Sequence, residues 1–164
     1  MTSIANLQRI PPQKLSELIL AEVEGKGETD PSFAVIDVRD DDHIGGHIRG
    51  SQNIPSRLID AMMPTLVRQL KDKKTVVFHC ALSQQRGPSA ALKYVRERER
   101  MLPGLGHLKV NETRHGEEGG EGKKEDQEVY VLDRGFVGWQ EVYGTDERLT
   151  EAYRKELWAD GYWG

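Results

Sequence analysis

The stretch HCALSQQRGPSAAL, His79 to Leu92, decides how this sequence is read. It holds Cys80, the single cysteine of the chain, and Arg86 follows with five residues, Ala81 to Gln85, between them. The apolar run TVVF leads in with the length and β-branched content of a strand. Gly87 and Pro88 then open a helical run, about 88–100, because a proline in the first turn gives up an N–H that has no intrahelical partner there. A strand that ends in a tight loop and feeds a helix gathers backbone N–H groups into one concavity at the positive end of the helix dipole, which is an anion site. A cysteine at the start of that loop is driven toward the thiolate, its nucleophilic form. An arginine that closes the loop offers a planar fork to two oxygens of a tetrahedral oxyanion. The pattern predicts an oxyanion held by the amides of Ala81, Leu82, Ser83, Gln84 and Gln85 and by Arg86. Cys80 attacks the central atom to form a covalent thio-intermediate. The Ser83 hydroxyl, in mid-loop, is placed to bond the thiolate or to help the product leave.

Outward from this loop, strands alternate with helices. PPQKLSELILAE reads as a helix with Leu15, Leu18 and Ile19 on one side. FAVIDVR is a second β-branched strand, followed by the loop DDDHIGGHIRGSQNIP. Ile59, Met62, Met63, Leu66, Val67 and Leu70 recur at helical spacing, so 56–70 is predicted helical, with Pro64 kinking or breaking it. EVYVLDRGF reads as a third strand and GWQEVYG as a short helix. DERLTEAYRKELW reads as a terminal helix, about 146–158, with Leu149, Tyr153 and Leu157 on one face. The segment 112–128, ETRHGEEGGEGKKEDQE, carries no aliphatic or aromatic side chain and buries nothing, so it reads as a mobile insertion. This order predicts one α/β domain over 1–164, with a core of about 10–145 and a mainly parallel sheet flanked by helices.

The 164 residues suit a single core, and 37% apolar residues allow a modest one. A net charge of −4 with both signs intermixed argues against nucleic acid as a partner. No apolar run approaches the ~20 residues of a membrane span, and MTSIANLQRIPP lacks the pattern of a signal peptide. A lone cysteine forms no intrachain disulfide and fits a reducing compartment, cytoplasm or nucleus. His43, His107 and His115 have no ligand spacing, so no metal is expected. Trp139, Trp158 and Trp163, with Met62 and Met63, are expected to pack in the core.

HC, five residues, then RGP resembles the active-site loop of the cell-division-cycle dual-specificity phosphatases and their arsenate reductase relatives, which carry the rhodanese fold. FAVIDVRDDDHIGGHIRGSQNIP is similar to the rhodanese-type strand ending D-x-R and its G-G-H-I-x-G-x-x-N-I-P continuation. VYVLDRGFVGWQEVYG resembles that family's later strand and glycine-led turn. The loop looks closest to the small fungal members. The resemblance implies a three-layer rhodanese-like domain, with Cys80 as nucleophile and Arg86 as oxyanion clamp. The cell-cycle phosphatases carry acidic residues where this chain has Ala81 and Gln85, so the loop brings no general acid of its own.

Three further residues are candidates for supporting roles. Asp37, ending its strand, is expected to order the floor of the site through Arg39 or loop amides rather than to act as an acid. His47 is expected to pin the glycine loop. His79, alternating to the other side of the strand from Cys80, is expected to order the loop from beneath. The expected activity is hydrolysis of phosphotyrosine or another phosphomonoester through a phosphocysteine, with no cofactor. The alternative is arsenate reduction, for which glutathione or a glutaredoxin must supply the second thiol. Sulfurtransferase rhodaneses have a shorter cysteine-to-arginine loop, which disfavours thiosulfate chemistry, and intact Cys80 and Arg86 argue against a non-catalytic binding module.

Overall fold

The computed structural model describes residues 7–24, 32–101, 108–109 and 127–159. Strands β1 (Gln8–Ile10), β2 (Phe33–Asp37), β4 (Gln52–Asn53), β5 (Thr75–His79), β6 (Leu108–Lys109) and β7 (Gln127–Leu132) form the main sheet. Its order is β1-β7-β5-β2-β4, with β6 also pairing β7, and every pairing is parallel. The period-two alternation of the strands divides the core in two. Ile36, Val76, Phe78, Val129 and Val131 face helices α2 (Ile59–Leu70) and α3 (Arg86–Met101). Val35, Val77 and Leu132 face α1 (Pro12–Glu24), α4 (Gly135–Tyr143) and α5 (Lys155–Trp158). The expected three-layer α/β architecture is the one observed.

Four details differ from the sequence reading. Helix α2, entered through a 3-10 turn at Ser56–Leu58, runs unbroken through Pro64. Met63 before that position and Leu66, Val67 and Leu70 after it clamp the helix to the core, which offsets the single hydrogen bond that proline removes. Met62 is 37% exposed and Met63 takes the core position alone.

The boundary of the expected insertion moves as well. Residues 112–126 lie outside the described residues, but Gln127 and Glu128 begin β7. Gln127 is buried because its amide meets every local demand: Nε2 donates to the carbonyls of Leu70 and Lys73, both at 2.8 Å, and Oε1 accepts from Tyr94 Oη at 2.8 Å. The fourth difference is the terminal helix of 146–158, which shrinks to Lys155–Trp158. Thr150 and Glu151 instead form β8, antiparallel to β3 (His47–Ile48). Thr150 accepts the Trp139 indole N–H at 2.9 Å and donates to the Tyr143 carbonyl at 2.7 Å, and Ala152 turns the chain at φ 57°. Trp139 and Trp158 are buried as expected; Trp163 lies outside the described residues.

At the C-terminal end of β2, Asp37 and Arg39 form an ion pair with both side chains at 0% exposure. Arg39 reaches Asp37 through its backbone N–H at 3.0 Å, through Nε at 3.1 Å to each oxygen, and through Nη2 at 2.8 Å. Nη2 also donates to the Gly46 carbonyl at 2.8 Å, which fixes the glycine loop, and the guanidinium lies 4.3 Å over the Phe136 ring. Burial works to raise the Asp37 carboxyl, but His79 and the Arg39 bonds outweigh it and hold the group at about 2. A carboxyl lowered on folding stabilises the native state above its unfolded value, and that contribution is lost only as pH falls toward 2. Asp37→Ala leaves the Arg39 charge buried and unpaired and is expected to cost about 3–5 kcal/mol. Urea denaturation at neutral pH measures this, and a loss under 1 kcal/mol would contradict the assignment.

Candidate active site

The C-terminal ends of parallel strands are where an open α/β sheet builds its sites. Here β5 delivers Cys80, the loop 81–85 turns beneath it, and α3 begins at Arg86. Cys80 is 3% exposed, and its sulfur accepts backbone N–H groups from Ser83 at 3.2 Å and Gly87 at 3.4 Å. Sulfur therefore sits at the centre of the loop and at the N-terminus of a 16-residue helix, where backbone N–H groups converge. The backbone N–H of Ser83, not its hydroxyl, reaches the sulfur. Its Oγ is buried without a hydrogen-bond partner. Ser83 adopts φ 57°, a left-handed turn in mid-loop.

The loop is braced from outside through its carbonyls. Phe136 N–H donates to the Cys80 carbonyl at 3.0 Å and Val137 N–H to the Ala81 carbonyl at 2.9 Å, so the first turn of α4 spends two of its free donors on the loop. Peptide planarity points each following N–H, of Ala81 and of Leu82, the opposite way. Arg9 Nη2 donates to the Ser83 carbonyl at 3.0 Å. Ala81 is buried by these contacts, whereas Leu82, Gln84 and Gln85 are exposed.

Beneath the loop, His79 is fully buried. Its Nδ1 lies 3.0 Å from the Cys80 carbonyl, and since a carbonyl only accepts, Nδ1 carries the proton. Nε2 has no hydrogen-bond partner and lies 3.7 Å from Asp37 Oδ2. Burial lowers the His79 pKa below the ordinary histidine value. His43 also approaches Asp37 Oδ2, at 3.5 Å, and its pKa is likewise lowered by burial. His47 lies at the glycine loop, where Nε2 meets Glu151 Oε1 at 3.1 Å across the β3–β8 pair.

Arg86 is not free at the mouth of the loop. Nη1 donates to Asp42 Oδ1 at 2.9 Å and Asp40 Oδ2 at 3.2 Å, and Nη2 donates to Asp42 Oδ2 at 2.8 Å. Asp42 is thus bidentate on the Nη1–Nη2 edge of the fork, with the geometry that two oxyanion oxygens can take. The Arg86 bonds hold the Asp42 carboxyl below its ordinary value. Asp40 is fixed more firmly, by Ser56 Oγ at 2.6 Å and Arg57 N–H at 3.2 Å. An open cleft of about 280 Å³ runs from Arg86 along Ser56, Ile59, Gln85, Ser89 and Lys93.

The structure therefore brings together Cys80, the loop 81–85, Arg86, His79 and Asp37, with His47 further out. The sequence reading missed Asp40, Asp42, Arg9 and the α4 donors. The run DDD beside a strand end was the available signal for the first two; nothing local marked Arg9.

A sheet of this order, with a glycine-led turn seated on a cysteine loop, defines the class, and sequence comparison agrees. Residues 20–142 match the rhodanese-like domain family. The chain belongs to that family, in the group shared by CDC25-like phosphatases and arsenate reductases. It is 35% identical to the CDC25-like phosphatase YCH1 of Saccharomyces cerevisiae, over 95% of this chain and 97% of that protein. It is 36% identical to arsenate reductase 2.1 of Oryza sativa, over 78% of this chain and 69% of that protein. The solved structure of Saccharomyces cerevisiae Ygr203w, described as a homolog of single-domain rhodanese and the Cdc25 phosphatase catalytic domain, superposes with a TM-score of 0.66 at 29% identity. The superposition covers 98% of this chain and 97% of that one.

Gly135, which opens α4 at φ 58°, is where brace and loop touch. A Cβ there would come within 2.6 Å of the Cys80 carbonyl oxygen and the Ala81 carbonyl carbon. Gly135→Ala is expected to cost about 1–3 kcal/mol of backbone strain and to displace the loop as well. Thermal denaturation, paired with the alkylation rate of Cys80, measures both effects. Unchanged values for both would show that the contact does not shape the loop.

Proposed function

We propose that this protein is a cysteine-dependent phosphatase that hydrolyses phosphotyrosine or another phosphomonoester. The observation that carries the reading is the Cys80 sulfur held by two backbone N–H groups inside a loop that Arg86 closes. The Cys80 thiolate attacks phosphorus as the bond to the leaving oxygen breaks, and the leaving group takes up a proton. Water then attacks the phosphocysteine, releasing inorganic phosphate and the thiolate. The amides and Arg86 stabilise the charge that develops on the equatorial oxygens, each donor being worth about 3 kcal/mol. The cleft beside Arg86 gives an aryl leaving group room. The relatives named as phosphatases support the reaction class.

Cys80→Ser is expected to remove hydrolysis of p-nitrophenyl phosphate while leaving the fold and thermal midpoint intact. Turnover retained in that variant would sink the mechanism.

Asp42 occupies the Nη1–Nη2 edge of Arg86 and competes with an oxyanion for it. The pair is partly open to solvent, its side chains 31% and 20% exposed, so releasing Asp42 costs on the order of 1 kcal/mol. Asp42→Asn is therefore expected to tighten competitive inhibition by inorganic phosphate about fivefold. Weaker inhibition would mean that Asp42 orients the arginine for the oxyanion rather than competing with it.

The relatives named as arsenate reductases favour a second reading on the same residues. Arsenate in the loop would form a Cys80–arsenic bond with loss of water. Reduction to arsenite takes two electrons, and the chain's single thiol cannot form the disulfide that supplies them. An external thiol, glutathione or a glutaredoxin, would complete it. Arsenate-dependent oxidation of glutathione and aryl phosphate hydrolysis, measured on one sample, separate the two activities.

A further inference from the structure

Apart from the His79 ring on the Cys80 carbonyl and the Ser89 N–H on the Gln85 carbonyl, the oxyanion loop is held by three outward carbonyl contacts, two of them backbone bonds from Phe136 and Val137. The third comes from a side chain. Arg9 stands on β1, the edge strand, in register with Val131 of β7. Its Nη2 donates to the Ser83 carbonyl at 3.0 Å across 74 positions of sequence, while Nη1 lies 3.7 Å from Asp133 at the end of β7. Ser83 is the residue in the left-handed conformation, and its own N–H already points at the Cys80 sulfur. A carbonyl and the N–H of the next residue point opposite ways in a trans peptide. Pulling the Ser83 carbonyl outward to Arg9 therefore turns the Gln84 N–H away from Arg9. Successive N–H groups converging through a left-handed residue make an anion-binding concavity.

We infer that Arg9 is a positioning residue for the oxyanion site: its guanidinium holds the Ser83–Gln84 peptide in the orientation that presents the Gln84 N–H to the ligand. The inference rests on the reading of this loop as an oxyanion site and adds to it a residue far outside the cysteine-to-arginine motif. Arg9 is also a cation near a site for anions; a purely electrostatic contribution would strengthen when the neighbouring Asp133 charge is removed, whereas the bond to Ser83 would not change.

Isothermal titration of the protein with tungstate is the test. Arg9→Ala is expected to weaken tungstate about tenfold, the worth of one charge-assisted hydrogen bond. Because the Arg9 side chain is 42% exposed, the thermal midpoint should stay within about 2 °C of the parent. Arg9→Lys, which keeps a donor and a charge, is expected to recover most of the affinity. Asp133→Asn, which removes the ion pair and leaves the bond to Ser83, is expected to bind as the parent does. If Arg9→Ala does not fold, Arg9→Met keeps the aliphatic stem and gives the same comparison. Parent-like affinity in Arg9→Ala or Arg9→Met would overturn the inference, as would a lysine variant no better than alanine. Failure of the parent protein to bind tungstate would instead overturn the oxyanion reading itself.

Discussion

The Asp37–Arg39 pair is the constraint on which the site depends. Placing two charges at zero exposure carries a desolvation cost that Coulomb attraction alone does not recover. Four hydrogen bonds within the pair, and a fifth from Arg39 to the Gly46 carbonyl, offset it. The guanidinium also supports Phe136 from below, and the Phe136 N–H holds the Cys80 carbonyl. One ion pair thus fixes the end of β2, the glycine loop, the start of α4 and, through α4, the peptide that leads out of the nucleophile. His79 lies between the pair and the loop, its ring against Phe136 and its Nδ1 on the same carbonyl.

Above this floor the charges are arranged differently. Arg86 and Asp42 are both partly open to solvent, so their attraction is screened and can be exchanged at small cost. The buried pair sets geometry that persists, while the open pair holds an arginine in place without binding it irreversibly to its own chain. Asp40, tied to Ser56 and Arg57, keeps the acidic loop close to Arg86 even when Asp42 is displaced.

The fold was legible in the sequence because three β-branched runs, FAVID, TVVFH and the VYVL of β7, alternate with helical periodicity, a local signal. Cys80 and Arg86 were legible for a similar reason: strand, loop and helix start lie within a dozen residues. What was not legible depends on contacts between distant segments. Thr150 leaves a helical pattern because it completes the hydrogen bonds of Trp139 and pairs with His47–Ile48. Gln127 enters a strand from a charged segment because three groups on α2, α3 and the following turn need an amide. Asp42 and Arg9 act through partners 44 and 74 positions away, and no local pattern encodes such a partner.

The antiparallel β3–β8 pair and the bond from the Trp158 indole to the Gly45 carbonyl, 113 positions apart, bear on how the protein is made. Contacts of such high sequence separation carry loop-closure entropy that must be met before they add stability, so they form late. During synthesis β2, β5 and the cysteine loop emerge well before residues 135–158 that brace them. The thiol therefore acquires its ordered surroundings only after nearly the whole described chain has left the ribosome. A nascent chain stalled before α4 would carry an unbraced cysteine, available to oxidants or to other thiols but not organised for chemistry on an oxyanion.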